Sequence, residues 1–137
     1  MFTVEEAWEL SLLALCIWRE AQGEITEAKR AVAWAIRNRV KNGVVWDGVD
    51  YPSVILKPKQ FSCFNPGDPN AVKFPASNDT SWQASLMAAE AAYRGLGDDP
   101  TGGATHYFDK SMDAAPPAWA AKMTHLCDIG NFNFYKV

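Results

Sequence analysis

Apolar residues recur at helical spacing from the start of the chain. Trp8, Leu12 and Cys16 are four residues apart, and the next step along that stripe is Glu20, so all four side chains project from one helical face. Thr3, with Glu6 three residues on, forms a capping box, and Gly23 marks a stop, which predicts a helix running to about Ala21. A carboxyl at the end of an apolar stripe is partly desolvated. It is paired, neutral or at work.

A second helix is predicted over Thr26 to Asn42, with Ala28, Val32, Ala35, Ile36 and Val40 on its apolar face and Gly43 as its stop. Pro52 and Pro58 allow only a short helical turn in the next stretch, before an extended segment at Gln60 to Cys63. Residues Phe64 to Asn78, with Pro66, Pro69 and Pro75, read as a long loop. Trp82, Leu86, Ala89 and Tyr93 then mark a third helix from about Thr80 to Arg94, ended by Gly95. "DDPTGGATHYF" is a turn entering a strand, Pro116 to Met123 a short helix, and "THLCDIGNFNFY" a hairpin turning at Gly130 and Asn131. The pattern predicts one α+β domain over residues 1–137, helical first with a small antiparallel sheet late.

Composition narrows the function. A formal charge of −3 argues against nucleic acid as a partner, and the basic run Arg37 to Lys41 reads as a solvated helix end. Six Trp, seven Phe and four Tyr are a heavy aromatic load, fitting both a core and flat surfaces for sugars. Cys16, Cys63 and Cys127 are scattered and odd in number, so they read as free thiols, with no metal site and no cofactor expected. "SLLALCIW" is too short to span a membrane, and the acids Glu5, Glu6 and Glu9 precede it where a signal peptide carries basic residues. Cytoplasmic synthesis without an export signal, as a monomer, is the expectation.

A desolvated carboxyl has a raised pKa, and a protonated carboxylic acid at neutral pH can donate to a leaving sugar oxygen. The alternative is a structural ion pair of Glu20 with Arg19, Arg37 or Arg39. The neighbouring segments add to the first reading. "WREAQGE", "AVAWAIRNRV", "QFSC", "DPTGGATHYF" and "IGNFNFY", in that order, resemble the catalytic domain of the cell-wall hydrolases typified by the spore cortex-lytic enzyme SleB. The resemblance covers nearly the whole chain and implies a lysozyme-like, lytic-transglycosylase-like helical body that cuts peptidoglycan glycan strands. It also implies that Glu20, the first acid of the E-A-x-G-E motif, is catalytic.

Around it, Glu24 either binds amide groups locally or reaches substrate, and Gln60 and Ser62, on an expected edge strand, suit sugar hydroxyls or N-acetyl groups. The match to the family motif points Thr101 and Gly102 toward the cleft, and Tyr107 and Tyr135 orient substrate or fill the core. This chain departs from the family around Tyr107, where it has Thr105, His106 and Phe108, and after Asn131, where it has Phe132. His106 would then supply a polar group moved from one strand to another. Only Glu20 has strong credentials as an acid, which favours a lytic transglycosylase over a muramidase using Asp99, Asp109 or Asp128 as partner. Two other classes stay open: a peptidoglycan peptidase using Cys63 with His106 or His125, and a non-catalytic murein-binding module. The setting the sequence suggests is a phage endolysin, released to the wall through a holin.

Overall fold

The computed structural model describes residues 1–42, 45–58 and 60–137. Four helices come first: α1 (Val4–Glu20), α2 (Thr26–Asn42), the short α3 (Tyr51–Ile55) and α4 (Thr80–Arg94). Three strands follow, β1 (His106–Asp109), β2 (Thr124–Ile129) and β3 (Phe132–Lys136), in an antiparallel sheet with β3 central. The protein is α+β, as the pattern predicts. The Gly43 stop lies outside the described residues.

The caps explain why the long helices begin and end where they do. The Thr3 hydroxyl accepts from Glu6 N–H while the Glu6 carboxylate accepts from Thr3 N–H, a reciprocal pair worth about 1 kcal/mol. Asp79 caps α4 by accepting from Ser81 and Trp82 amides. Gly95 closes it at φ 70, a left-handed conformation glycine adopts without strain. Arg37 of α2 donates to the α4 carbonyls of Ala92 and Tyr93, joining the two helices at that end.

Helix α4 packs against both α1 and α2, and α3 closes the remaining side. Leu13, Ile17, Val32, Ile36, Val54 and Ile55 are fully buried between them, with Phe134 of β3 at the sheet side. The register pairs His106 with Tyr135 and Asp109 with Phe132, and β1 packs against α2.

Three expectations need correction. Gln60 to Cys63 is not extended: Gln60 lies in a turn and Ser62–Phe64 form one 3-10 turn. The Cys63 carbonyl accepts from Arg19 rather than from a strand. Trp8 is exposed, because the buried face of α1 turns through Leu13 and Ile17 toward α4 and α3. The run Arg37 to Lys41 is solvated only at its end, where Lys41 is exposed, since Asn38 and Arg39 are buried. Pro116 to Met123 holds a 3-10 turn, Ala118–Lys122, and the long loop contains another at Pro69–Val72.

Candidate active site

Glu20 is the last residue of α1, and the chain beyond it is clamped. Lys29 of α2, itself buried, donates to the carbonyls of Ala21 and Gln22 and to the Ser81 hydroxyl. Ser81 in turn donates to the Gln22 carbonyl at 2.8 Å. Two helices therefore fix the backbone directly after the carboxyl, giving it a defined place in a cleft.

That cleft is a cavity of about 450 Å³. Glu20 enters from α1 and Arg39 from α2; Gln60, Phe61 and Ser62 form one rim. The whole of β1, from His106 to Asp109, supplies the opposite wall, extended by Trp119 and Phe132. Glu20 makes no hydrogen bond or ion pair with any described residue. Burial raises its pKa to about 7, with the negative charge of Asp68 adding to the effect.

The arginines that could have neutralised it are all directed elsewhere. Arg19 donates to the carbonyls of Lys73 and Cys63 and lies between the rings of Phe64 and Phe74. Arg37 holds the end of α4. Arg39 donates to the Thr105 carbonyl at 2.8 Å and to Gln60 Oε1 at 3.2 Å, over the Phe61 ring. The structural ion pair is not formed. Glu20 is a neutral-to-ionised carboxyl poised near physiological pH.

Of the other residues singled out from the sequence, Gln60, Ser62, His106 and Tyr107 line the same cavity. Tyr107 is packed among Phe61, Phe132 and Phe134, and its buried hydroxyl has no hydrogen-bond partner. Burial first, then the nearby Glu20 and thiols, pushes that hydroxyl's pKa well up, so it remains a proton donor. His106 is held neutral: burial, then the Arg39 charge, lowers its pKa to about 4 against the opposing pull of Asp47. Its Nδ1 meets the Thr105 hydroxyl at 3.0 Å and its Nε2 lies 3.7 Å from Asp47.

Four others lie outside the cavity lining. Glu24 accepts from the Asn131 amide, so it braces the hairpin turn. Thr101 is buried under Asp99, donating its hydroxyl to that carboxylate and accepting from the Ala104 amide. Gly102 occupies φ 71 in the same loop. Tyr135 stacks on Phe108 and meets Trp119 edge-on, behind the wall. The glycine-rich turn is an architectural knot around Asp99, whose carboxylate also accepts from the Gly103 amide and the Asn38 side chain.

Sequence reasoning passed over Arg39 and Trp119 as cleft residues. Arg39 sits four residues beyond Ala35 and seven beyond Val32, on the apolar face of α2. The same signal that singled out Glu20 would have found it.

Asp109, one of three candidates for a second acid, lines the cavity. Partial burial raises its pKa, but hydrogen bonds from Ser111 and Asn131 outweigh this and leave it below the usual carboxylate range. Asp128 is paired with His125 on the exposed sheet edge. Cys63 and Cys16 are buried, and neither histidine hydrogen-bonds a cysteine among the described residues, so no Cys/His dyad is assembled there.

A family model described as Cell Wall Hydrolase matches residues 23–135, most of the chain. The chain belongs to the cell wall hydrolase family. The match begins just past Glu20, so the standing of that residue rests on its geometry. Spore cortex-lytic enzymes of Halalkalibacterium halodurans and Oceanobacillus iheyensis are each 30% identical, over 92% and 93% of this chain. The chain spans 34% and 41% of their lengths. The catalytic domain of the Bacillus cereus SleB protein superimposes with a TM-score of 0.68 at 29% identity, covering 93% of this chain and 89% of that one. The catalytic domain of the germination-specific lytic transglycosylase SleB from Bacillus anthracis gives 0.70 at 27% identity, over 98% and 97%. The SleB-type cell wall hydrolase fold thus accounts for the arrangement of α1 to α4 against the sheet.

Proposed function

We propose that this cell wall hydrolase cleaves peptidoglycan glycan strands between N-acetylmuramic acid and N-acetylglucosamine, as a lytic transglycosylase with Glu20 as acid and base. The observation that carries the reading is an unpaired carboxyl in a cleft with a pKa of about 7. Membership of the family and the likeness to a SleB lytic transglycosylase support it. Protonated Glu20 gives its proton to the glycosidic oxygen as the bond to the muramic anomeric carbon breaks. The C6 hydroxyl of the same sugar attacks that carbon, and the Glu20 carboxylate accepts its proton. The acid is regenerated, no water enters, and a 1,6-anhydro end is formed. The ring holds the C6 hydroxyl close to the reacting carbon, so proximity replaces a second catalytic carboxylate.

Asp109 carries a second reading, a hydrolytic muramidase, because it is an ionised carboxylate in the same cleft. Mass spectrometry of muropeptides released from purified sacculi separates the two. Anhydro products support the transglycosylase. Products heavier by one water, abolished in Asp109→Asn, overturn it in favour of hydrolysis.

The endolysin setting and the monomeric state belong to the same proposal. The apolar run "SLLALCIW" is part of α1 and contributes Leu13, Cys16 and Ile17 to the core. Among the described residues no helix is long and apolar enough to cross a membrane. Expression in a host with and without a holin tests the setting: lysis that needs no holin removes it. Sedimentation at working concentration tests the monomer.

A further inference from the structure

Past the Glu20 cleft the surface continues into a second cavity of about 260 Å³. Gln60, His106 and Trp119 line both, so the two cavities adjoin across these side chains. Trp46 and Asp47 belong to the second part alone. Trp46 is 75% exposed, an unusual place for the largest apolar residue. Its turn is nonetheless anchored: Lys57 donates to the Trp46 carbonyl at 2.6 Å and to Asp47 Oδ1 at 3.3 Å. Trp119 across the groove is fixed by ring contacts with His106, Phe108 and Tyr135.

We propose that this extension binds a further N-acetylhexosamine unit of the strand whose scissile bond lies at Glu20, the exposed Trp46 ring stacking on the sugar's apolar face. The proposal rests on the glycan-cleaving reading above and adds the residue that sets how long a strand the site prefers. Flat aromatic surface covers the C–H face of a pyranose, while the exposed Gln60 offers its amide N–H to the sugar's hydroxyl and acetamido groups. The residues that the two cavities share, Gln60, His106 and Trp119, are what commit the occupant to the same glycan strand.

Trp46→Ala removes no core contact, so the fold should persist. On glycan strands of at least eight sugars it should raise KM about tenfold with kcat unchanged, equivalent to about 1.4 kcal/mol of lost binding. Trp46→Phe should restore most of the affinity, and fragments too short to reach the groove should be cut equally by all three proteins. Intrinsic fluorescence supplies a readout independent of turnover: N-acetylchitohexaose added to Glu20→Gln protein should shift the emission, and the Glu20→Gln/Trp46→Ala protein should lose that shift. Cleavage of long strands with an unchanged KM in Trp46→Ala overturns the groove while leaving the glycosidase reading intact. Absence of glycan cleavage by the wild type, with hexaose binding that still depends on Trp46, overturns the glycosidase reading and keeps the groove.

Discussion

Replacing Glu20 by Gln should destroy activity and stabilise the protein, and the second effect has a pH dependence of definite sign. In the unfolded chain the carboxyl titrates near 4.5, and in the fold near 7. Below 4.5 it is protonated in both states and costs nothing. As pH rises from 4.5 to 7 the unfolded state loses its proton first, so stability falls, and above 7 the penalty is complete. A difference of about 2.5 pKa units corresponds to about 3 kcal/mol at 1.36 kcal/mol per unit. Gln has the same shape and no titration, so Glu20→Gln should match the wild type near pH 4 and exceed it by about 3 kcal/mol at pH 8. For a chain of this size that is a rise in Tm on the order of 10 °C. Paired denaturant melts across pH 4 to 8 measure the difference, beside a lysis assay that should fall by about two to four orders of magnitude. Parallel stability curves for the two proteins would refute the desolvated acid, and a folded Glu20→Gln with normal lytic rate would refute its role.

Asp68→Asn removes the charge that helps raise Glu20, so the alkaline limb of kcat/KM should move toward lower pH; an unmoved limb would show that burial acts alone. Glu24→Ala removes the acceptor for the Asn131 amide and should lower stability by about 1 kcal/mol in urea melts, with activity per folded molecule retained. At Gly130, φ is 56 and an added Cβ would lie 2.7 Å from Glu24 Oε1 and 2.8 Å from Ala28 Cβ. Gly130→Ala should therefore cost about 2 kcal/mol or more, and a neutral melt would contradict that geometry. Iodoacetamide should reach Cys127 before the buried Cys16 and Cys63 and leave lysis intact; loss of lysis with labelling of Cys63 would revive a thiol mechanism.

Helices α1 and α4 are legible in the sequence because their ends are written in local chemistry: Thr3 with Glu6 before α1 and Gly95 after α4. The catalytic candidate is legible for a related reason, a charge at helical register with apolar residues. What failed were inferences that depend on partners distant in sequence. Gln60 to Cys63 reads as an extended segment, but the Cys63 carbonyl is taken by Arg19, 44 residues away, and the segment turns instead. The family motif points Thr101 and Gly102 toward the cleft; neither is in the lining of the Glu20 cavity, and Asp99 accepts from the Thr101 and Gly103 amides, the Thr101 hydroxyl and the Asn38 side chain. Local composition does not say which carbonyl an arginine will reach. That choice is made by the packing of α1, α2 and the sheet.

The same choices of partner make Glu20 usable. A guanidinium brought against it would stabilise the carboxylate and strip the proton needed for the first step. Arg39 is the greatest hazard, because it is buried in the same cleft. Its Nε donates to Thr105, its Nη1 to Gln60, and it lies over Phe61, so it contributes to the wall without forming an ion pair with Glu20. The charge that does bear on Glu20 is negative, from Asp68, and it works in the same direction as burial. A carboxyl with a pKa near the working pH is divided between its two forms, and in the proposed reaction it gives a proton to the leaving oxygen and takes one back from the attacking hydroxyl. One residue can then serve both steps, and a second carboxylate held permanently ionised, such as Asp109, is not required by the proton balance.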